Sequence, residues 1–138
     1  MMIIVSACLA GFACRWNGED CAHPQVVHLV QTGEAVPICP EQLGGLTTPR
    51  EPCEVVHGRV LCKSGLDVTE AFERGAAMTV HLARLYGCTQ AILKSRSPSC
   101  GCGRIHDGTF SGILIQGNGL TATALLQAGI AVQTEDDL

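Results

Sequence analysis

The chain has 138 residues, of which 46% are hydrophobic and 16% charged, and it carries a net charge of −4 at pH 7. This composition argues against a disordered chain. Because the chain is acidic and has no run of Lys or Arg, it also argues against a general affinity for nucleic-acid backbone.

Residues 2–7 form a short apolar, β-branched run, which predicts a buried strand of a parallel sheet. A short helix is predicted over residues 24–33, since Pro fits the first turn and Gly favours the end. Residues 35–38 predict a second strand. Pro37 would remove a ladder hydrogen bond there, so this strand is expected at an edge or weakly paired.

The following segment predicts a hairpin turning at His57-Gly58 and then the clearest helix, from Asp67 to Tyr86. Asp67 with Glu70 three residues later predicts a capping box. The remaining predicted elements are a strand at 90–94, an extended piece at 112–116 in an otherwise loop-rich stretch, a helix at 121–128 and a strand at 130–133. This alternation predicts one α/β domain over residues 1–138. We expect a small, open, mainly parallel sheet in a single layer with flanking helices, a Rossmann-like fold.

Nine cysteines are a high number for a chain of this length. The apolar start is too short for a secretory or lipoprotein signal, and no stretch has the length of a membrane helix. We therefore expect a cytoplasmic protein whose thiols are reduced and serve metals or catalysis rather than disulfides.

Three cysteines follow predicted strands: Cys8 after the first, Cys39 after the second and Cys100 shortly after the third. Because parallel strands end at one edge of a sheet, these thiols are expected to converge. Three thiolates suit zinc, Cu(I) or an iron–sulfur cluster, and a set of three leaves one coordination position open. The alternative is that they are buried cysteines acting as small hydrophobes. For Cys102 two roles are open: it replaces Cys100 as the ligand, or it serves as a redox partner.

For five other cysteines we favour the interpretation as small hydrophobic residues without matched spacing, and these are Cys14, Cys21, Cys53, Cys62 and Cys88.

Several polar residues share the strand-end loops. Glu41 fits acid/base chemistry or an ordinary surface position. Ser97 and Ser99 fit ligand binding or a local turn, and Arg50 fits anion binding or a surface ion pair. The residues 117–119 before the last helix weakly resemble an anion-binding helix start.

A family resemblance spans nearly the whole chain. It rests on Ser6-Ala-Cys8-Leu-Ala-Gly11, Cys39-Pro-Glu41, Pro49-Arg50, Gly65-Leu-Asp67, Ser97-Pro-Ser99-Cys100-Gly101 and Asp107-Gly-Thr-Phe-Ser-Gly112. These motifs resemble the family long called domain of unknown function 523, which includes the thiouracil desulfidases. Trp16 stands where many members have Tyr, and Cys14, Cys21, Cys53 and Cys102 are additional thiols.

The resemblance implies a 4Fe–4S cluster held by Cys8, Cys39 and Cys100, with catalytic roles for Glu41 and Ser97. It implies desulfuration of 4-thiouracil, or of its nucleoside or nucleotide, to the oxo form with release of hydrogen sulfide and no net redox change. We assign Ser99 and Arg50 to substrate binding. The expected partner is thus a small-molecule thiolated pyrimidine, with neither a membrane nor nucleic acid as a partner of the isolated domain.

Two other functions remain open at this point. One is a non-catalytic thiol module that handles a metal or a redox change, and the other is a nucleotide-binding regulator with structural cysteines.

Overall fold

The computed structural model describes residues 2–138, and its central sheet has four parallel strands. These are β1 (Ile3–Ser6), β2 (Ala35–Ile38), β5 (Gln90–Leu93) and β8 (Ala131–Thr134), in the order β2-β1-β5-β8. The predicted fold class, an open parallel sheet flanked by helices, is confirmed. Pro37 lies in β2 opposite Val5, and β2 is an edge strand, as its missing N–H requires.

Two antiparallel hairpins lie outside the central sheet. The first pairs β3 (Cys53–Val56) with β4 (Arg59–Cys62), and its turn residues His57 and Gly58 both have positive φ, at 49° and 77°. Two such residues are what a tight two-residue hairpin turn requires, so the predicted turn is confirmed. The second hairpin pairs β6 (Arg104–His106) with β7 (Leu114–Gln116). We predicted only its second strand, because three-residue strands carry almost no sequence pattern.

The helices are α1 (Pro24–Gln31), α2 (Pro40–Leu43), α3 (Thr69–Leu85) and α4 (Leu120–Gln127). The short helix α2 was not predicted, and a 3₁₀ turn replaces the loop expected after β1. The predicted capping box is wrong: α3 begins at Thr69, whose N–H donates 2.9 Å to Asp67 Oδ1. Within residues 2–138, no helix has both the length and the hydrophobicity needed to cross a bilayer.

Helices cover both faces of the sheet because successive strand residues point to opposite sides. Val5 packs on one face with Val26 of α1. Its neighbour Ile4 packs on the other face with Ala83 of α3 and Leu125 of α4. All five side chains are fully buried. Burial of such aliphatic groups, at about 1.5–3 kcal/mol for each of the larger ones, fixes the sheet between its helices.

Helices α2 and α3 touch backbone to backbone through two glycines. A Cβ atom on Gly75 would lie 1.9 Å from the carbonyl oxygen of Pro40, and one on Gly44 would lie 2.0 Å from that of Ala71. Only glycine permits this approach. The contact holds α2, and with it the carboxyl end of β2, against the long helix.

Candidate metal centre

The three predicted ligands follow three neighbouring strands and line one cavity of about 380 Å³. Cys8 lies in the 3₁₀ turn after β1, Cys39 is the N-cap of α2 after β2, and Cys100 follows β5. The chain order reverses between β1 and β5, where ligands bind in open α/β sheets. Cys102 does not line this cavity; its Sγ lies 3.9 Å from the carbonyl of Val132.

A fourth thiol, Cys14, lines the same cavity and is buried. Its carbonyl oxygen accepts hydrogen bonds from Cys39 Sγ at 3.8 Å and from Arg50 Nη2 at 2.9 Å. The spacing of Cys14 matches no ligand pattern, so the sequence favours a small hydrophobic residue at this position. The folded loop, rather than the sequence, brings it beside the other thiols.

Hydrogen bonds link three thiols of this cavity, Cys8, Cys14 and Cys39, and shift their pKa values. Hydrogen bonding to Cys14 raises the pKa of Cys8 and of Cys39, and hydrogen bonds from Cys39 and Cys8 lower the pKa of Cys14. Burial raises the pKa of Cys100 to about 11. Because the pKa values of Cys8, Cys39 and Cys100 are raised, deprotonation of all three thiols needs a compensating positive charge. Metal ions supply this charge when they displace the thiol protons.

Soft thiol donors and nearby cations define the chemistry of the cavity. Arg15 and Arg96 also line it, and neither guanidinium forms a salt bridge within the described part of the chain. Their charges offset those of thiolates.

In residues 2–138, no three His, Cys, Asp or Glu side chains come together in the way they do around a single metal ion.

Glu41 lies in the first turn of α2 and lines the cavity with a side chain that is 16% exposed. Its Oε1 atom is 3.1 Å from Nε of Arg50. Burial raises the pKa of this carboxyl group, and the charge of Arg50 opposes the rise. Glu41 is therefore a desolvated carboxylate held in a fixed direction beside the thiols.

Arg50 forms an ion pair and other protein contacts, which is the second of the two interpretations that the sequence allowed. Its side chain is 8% exposed, and Nη1 donates to Thr48 Oγ1 at 2.9 Å and to the carbonyl of Thr47 at 3.2 Å. Nη2 and Nε bind Cys14 and Glu41. The residue thus ties the Cys14 loop to the carboxylate.

Ser97 and Ser99 occupy different environments. Ser97 lines the cavity, and its Oγ accepts the N–H groups of Ser99 at 3.1 Å and of Cys100 at 3.0 Å. This is the serine turn that the sequence allowed. Ser99 does not line the cavity: it is 1% exposed, and its hydroxyl lies 2.9 Å from that of Thr121.

The residues before α4 form no anion site, so that prediction is wrong. The N–H groups of Leu120 and Thr121 donate to the carbonyls of Pro98 and Ser99, at 3.0 and 2.8 Å. A Cβ on Gly119 would lie 2.4 Å from the carbonyl oxygen of Ser99. The helix start is satisfied by protein, and it braces the loop that carries Cys100.

Comparisons with known proteins point to one family. Residues 3–137 match the family model described as 2-thiouracil desulfurase. A relative from Bacillus subtilis (strain 168), the uncharacterized protein YbbK, is 46% identical over 147 residues, covering 99% of this chain and 97% of the relative. A solved structure described as the 4Fe–4S-dependent thiouracil desulfidase TudS (DUF523Vcz) is similar with a TM-score of 0.95 and 44% identity. That alignment covers 99% of this chain and 92% of the other.

Proposed function

The chain belongs to the 2-thiouracil desulfurase family and is an enzyme, and from this premise we propose that it exchanges the sulfur of a thiolated pyrimidine for oxygen from water. The substrate class is 4-thiouracil or its nucleoside or nucleotide, and the sulfur leaves as hydrogen sulfide. We propose that the 138 residues act as a single domain. The observation that carries the proposal is the convergence of Cys8, Cys39 and Cys100 on one cavity beside Glu41 and Ser97.

The donor set fits the 4Fe–4S cluster on which the similar solved enzyme depends. Cysteine thiolates are the usual ligands of such clusters, and Cys8, Cys39 and Cys100 are free thiols in the wall of one cavity. Arg15 and Arg96 lie in the same wall and compensate negative charge. We therefore assign the three cysteines as ligands of a 4Fe–4S cluster. When bound, it supplies a Lewis-acidic iron that prefers sulfur to oxygen.

Glu41 is the proposed general base. Its carboxylate lines the cavity beside the thiols, and Arg50 fixes its direction through the 3.1 Å ion pair. A carboxylate held in this way accepts a proton from a water molecule, so that the water oxygen attacks the ring carbon that bears sulfur. Arg50, four of whose five N–H donors are taken by protein, acts as a positioning residue in this proposal rather than a substrate ligand.

Ser97 is the proposed hydrogen-bond donor to the substrate. A hydroxyl has one proton and two acceptor sites, and both acceptor sites of Ser97 are used by the N–H groups of Ser99 and Cys100. Its proton has no acceptor in the described part of the chain. Since Ser97 lines the cavity, this proton is available to orient the pyrimidine or to stabilise charge on a ring atom during attack. Ser99, in contrast, supports the turn through Thr121.

The overall reaction balances without a redox partner. One water and one thiocarbonyl give one carbonyl and one hydrogen sulfide. The water oxygen becomes the carbonyl oxygen, and both water protons end on the released sulfur. The proton that Glu41 accepts is returned to the leaving sulfur. We also propose a cytoplasmic location, because the cysteines are free thiols and such thiols persist in a reducing compartment.

A sulfide-release assay tests the proposal. Protein loaded anaerobically with iron and sulfide is incubated with 4-thiouracil, 4-thiouridine or 4-thiouridine monophosphate, and sulfide and oxo-pyrimidine are measured together. We expect equal amounts of both products from at least one substrate. The Cys100→Ala protein is expected to release none while keeping its circular dichroism spectrum.

Cys88→Ala is the matched control, since Cys88 is a buried cysteine that does not line the cavity. It should keep both cluster and activity. Full activity in the Cys100→Ala protein would contradict the ligand assignment. A colourless, zinc-loaded protein without sulfide release would instead support the non-catalytic thiol module.

A further inference from the structure

Two thiols that are not proposed cluster ligands lie close together on the β3–β4 hairpin. Cys53 and Cys62 stand directly opposite each other in the antiparallel register. Their Sγ atoms are 3.2 Å apart, and both are free thiols. The proposed function uses neither of them.

The hydrogen-bond pattern shows which kind of cross-strand pair this is. The N–H of Lys63 donates 3.0 Å to the carbonyl of Pro52, and the N–H of Cys62 donates to Leu66 rather than to Cys53. The two cysteines therefore form a non-hydrogen-bonded pair, in which Cα atoms are about 4.5 Å apart and side chains are closest. This separation lies inside the range that disulfides span, about 4.4–6.8 Å. A small side-chain rotation, with no movement of the strands, brings the sulfurs to bonding distance.

The two thiols of the pair differ in accessibility. Cys53 is partly exposed and lines the 380 Å³ cavity, whereas Cys62 is 6% exposed and does not line it. A reagent that enters the cavity thus meets Cys53 first, with Cys62 directly behind it. Burial raises the pKa of the Cys53 thiol, so its reaction is slow at neutral pH and faster as pH rises.

We propose that Cys53 and Cys62 are a modification site that forms a reversible disulfide by exchange with a small-molecule disulfide such as glutathione disulfide. The Cys53 thiolate attacks one sulfur of the reagent, forms a mixed disulfide and displaces one thiolate. The Cys62 thiolate then attacks the Cys53 sulfur and displaces the second thiolate. The cysteine pair loses two electrons, the reagent gains them, and the two cysteine protons pass to the released thiols.

The pair contains none of the proposed cluster ligands. Its oxidation consumes none of Cys8, Cys39 and Cys100. The bridge links two adjacent strands, and the first of them also contains Glu54, which accepts the N–H groups of Gly108 and Phe110 at 2.9 and 3.1 Å. Formation of the disulfide therefore braces the cavity wall without disturbing the ligand set.

Disulfide mapping tests the site independently of desulfidase activity. Cluster-loaded and cluster-free protein are incubated anaerobically with excess glutathione disulfide, free thiols are alkylated, and peptides are analysed by mass spectrometry. We expect a Cys53–Cys62 bridge in most chains of both samples, reversed by a dithiol reductant. Thermal unfolding of the bridged form should show a higher Tm.

Variants identify the order of the steps. Cys62→Ser should retain glutathione on Cys53, because the second exchange is blocked, whereas Cys88→Ser should form the bridge as the unmodified chain does. The proposal is overturned if Cys53 and Cys62 are alkylated as fully as Cys88 after incubation. It is equally overturned if Cys53 is bridged to another cysteine or keeps glutathione in the unmodified chain. These outcomes are read in the wild-type sequence, so they stand even if Cys62→Ser fails to fold.

Discussion

At the scale of single residues, the ion pair between Glu41 and Arg50 joins two parts of the site. Arg50 binds the carboxylate, the Thr47–Thr48 segment and the carbonyl of Cys14 at the same time. Both charged side chains are mostly buried. Breaking such a pair by removing one partner leaves an uncompensated buried charge, which is costlier than leaving a surface charge unpaired. The main effect of the ion pair is therefore to hold the Glu41 carboxylate in one direction, and not to stabilise the fold.

The proposed base leads to a prediction at this scale. Glu41→Gln keeps the shape of the side chain and its hydrogen bond from Arg50, but it cannot accept a proton. We expect kcat to fall by about 10²–10⁴-fold, the usual contribution of a positioned base. The measurement is sulfide release at saturating substrate, with the visible spectrum of the cluster as control for loading. An unchanged kcat in a fully loaded protein would exclude Glu41 as the base.

At the scale of elements, three loops carry the site, and each is held by a contact from another element. Helix α4 donates the N–H groups of Leu120 and Thr121 to the loop before Cys100. Helix α3 holds α2 through Gly44 and Gly75. Ser6 at the end of β1 accepts the N–H of Lys94 at 2.9 Å, which joins the ends of β1 and β5. The positions of the cysteines therefore depend on helix packing as well as on the sheet.

The close contact between α2 and α3 leads to a prediction about stability and iron binding. Gly75→Ala places a methyl group 1.9 Å from the carbonyl oxygen of Pro40, so the helices must separate. We expect a loss of about 1–3 kcal/mol in the free energy of unfolding, as for other overpacked interiors. Because Cys39 caps α2, iron content should also fall. Ala77→Ser, which adds one atom to an exposed position of α3, is the control and should change neither quantity.

The end of β8 provides a second prediction, about pH. Although burial alone would raise the pKa of Glu135, hydrogen bonds from Lys94 at 2.7 Å and from the N–H of Ser95 at 2.7 Å lower it below 4.5. A carboxyl with a lowered pKa stabilises the fold above its ordinary pKa, and this contribution is lost as pH falls through the lowered value. Glu135→Gln should therefore destabilise the protein most above pH 4.5.

Urea unfolding between pH 7 and pH 3 measures this effect. The difference between the wild type and Glu135→Gln is expected to shrink as the solution becomes more acidic. Glu73→Gln, at an exposed carboxylate of α3 with no hydrogen bond among the described contacts, serves as the control. A difference that is constant across this range would mean that the Glu135 charge does not stabilise the strand end.

At the scale of the whole molecule, metal binding at the site is coupled to loss of thiol protons and to folding of the chain. Five thiols line the cavity, and the protons of the three proposed ligands must leave before iron can bind. A ligand that binds only the folded chain stabilises it. The cluster is therefore expected to act on global stability as well as on chemistry.

This coupling can be measured by removing the metal. Treating the loaded protein with an iron chelator under anaerobic, reducing conditions should lower Tm, remove the visible absorption and abolish sulfide release. Reconstitution with iron and sulfide should restore all three. If Tm stays constant while absorption disappears, the cluster does not bind preferentially to the folded state, and the three cysteines are not its shared ligands.

The sequence by itself determined the strands of the central sheet, the longer helices and the chemistry of the ligands. Alternation of apolar strands with helices gave the parallel sheet, because a buried strand and an amphipathic helix have different periods. Since parallel strands end at one edge, it also placed Cys8, Cys39 and Cys100 together. The motifs around them indicated the family, which the match over residues 3–137 shows.

Only the tertiary structure decided how the loops close. Cys14, Cys53 and Arg96 join the cavity, Arg50 turns to Glu41, and Ser99 turns away to Thr121. The three-residue β6 and the four-residue α2 exist because other elements satisfy their hydrogen bonds and their packing. Such contacts join residues far apart in the chain. Local periodicity and spacing carry no information about them, because the free energy that selects them appears only when the whole core has formed.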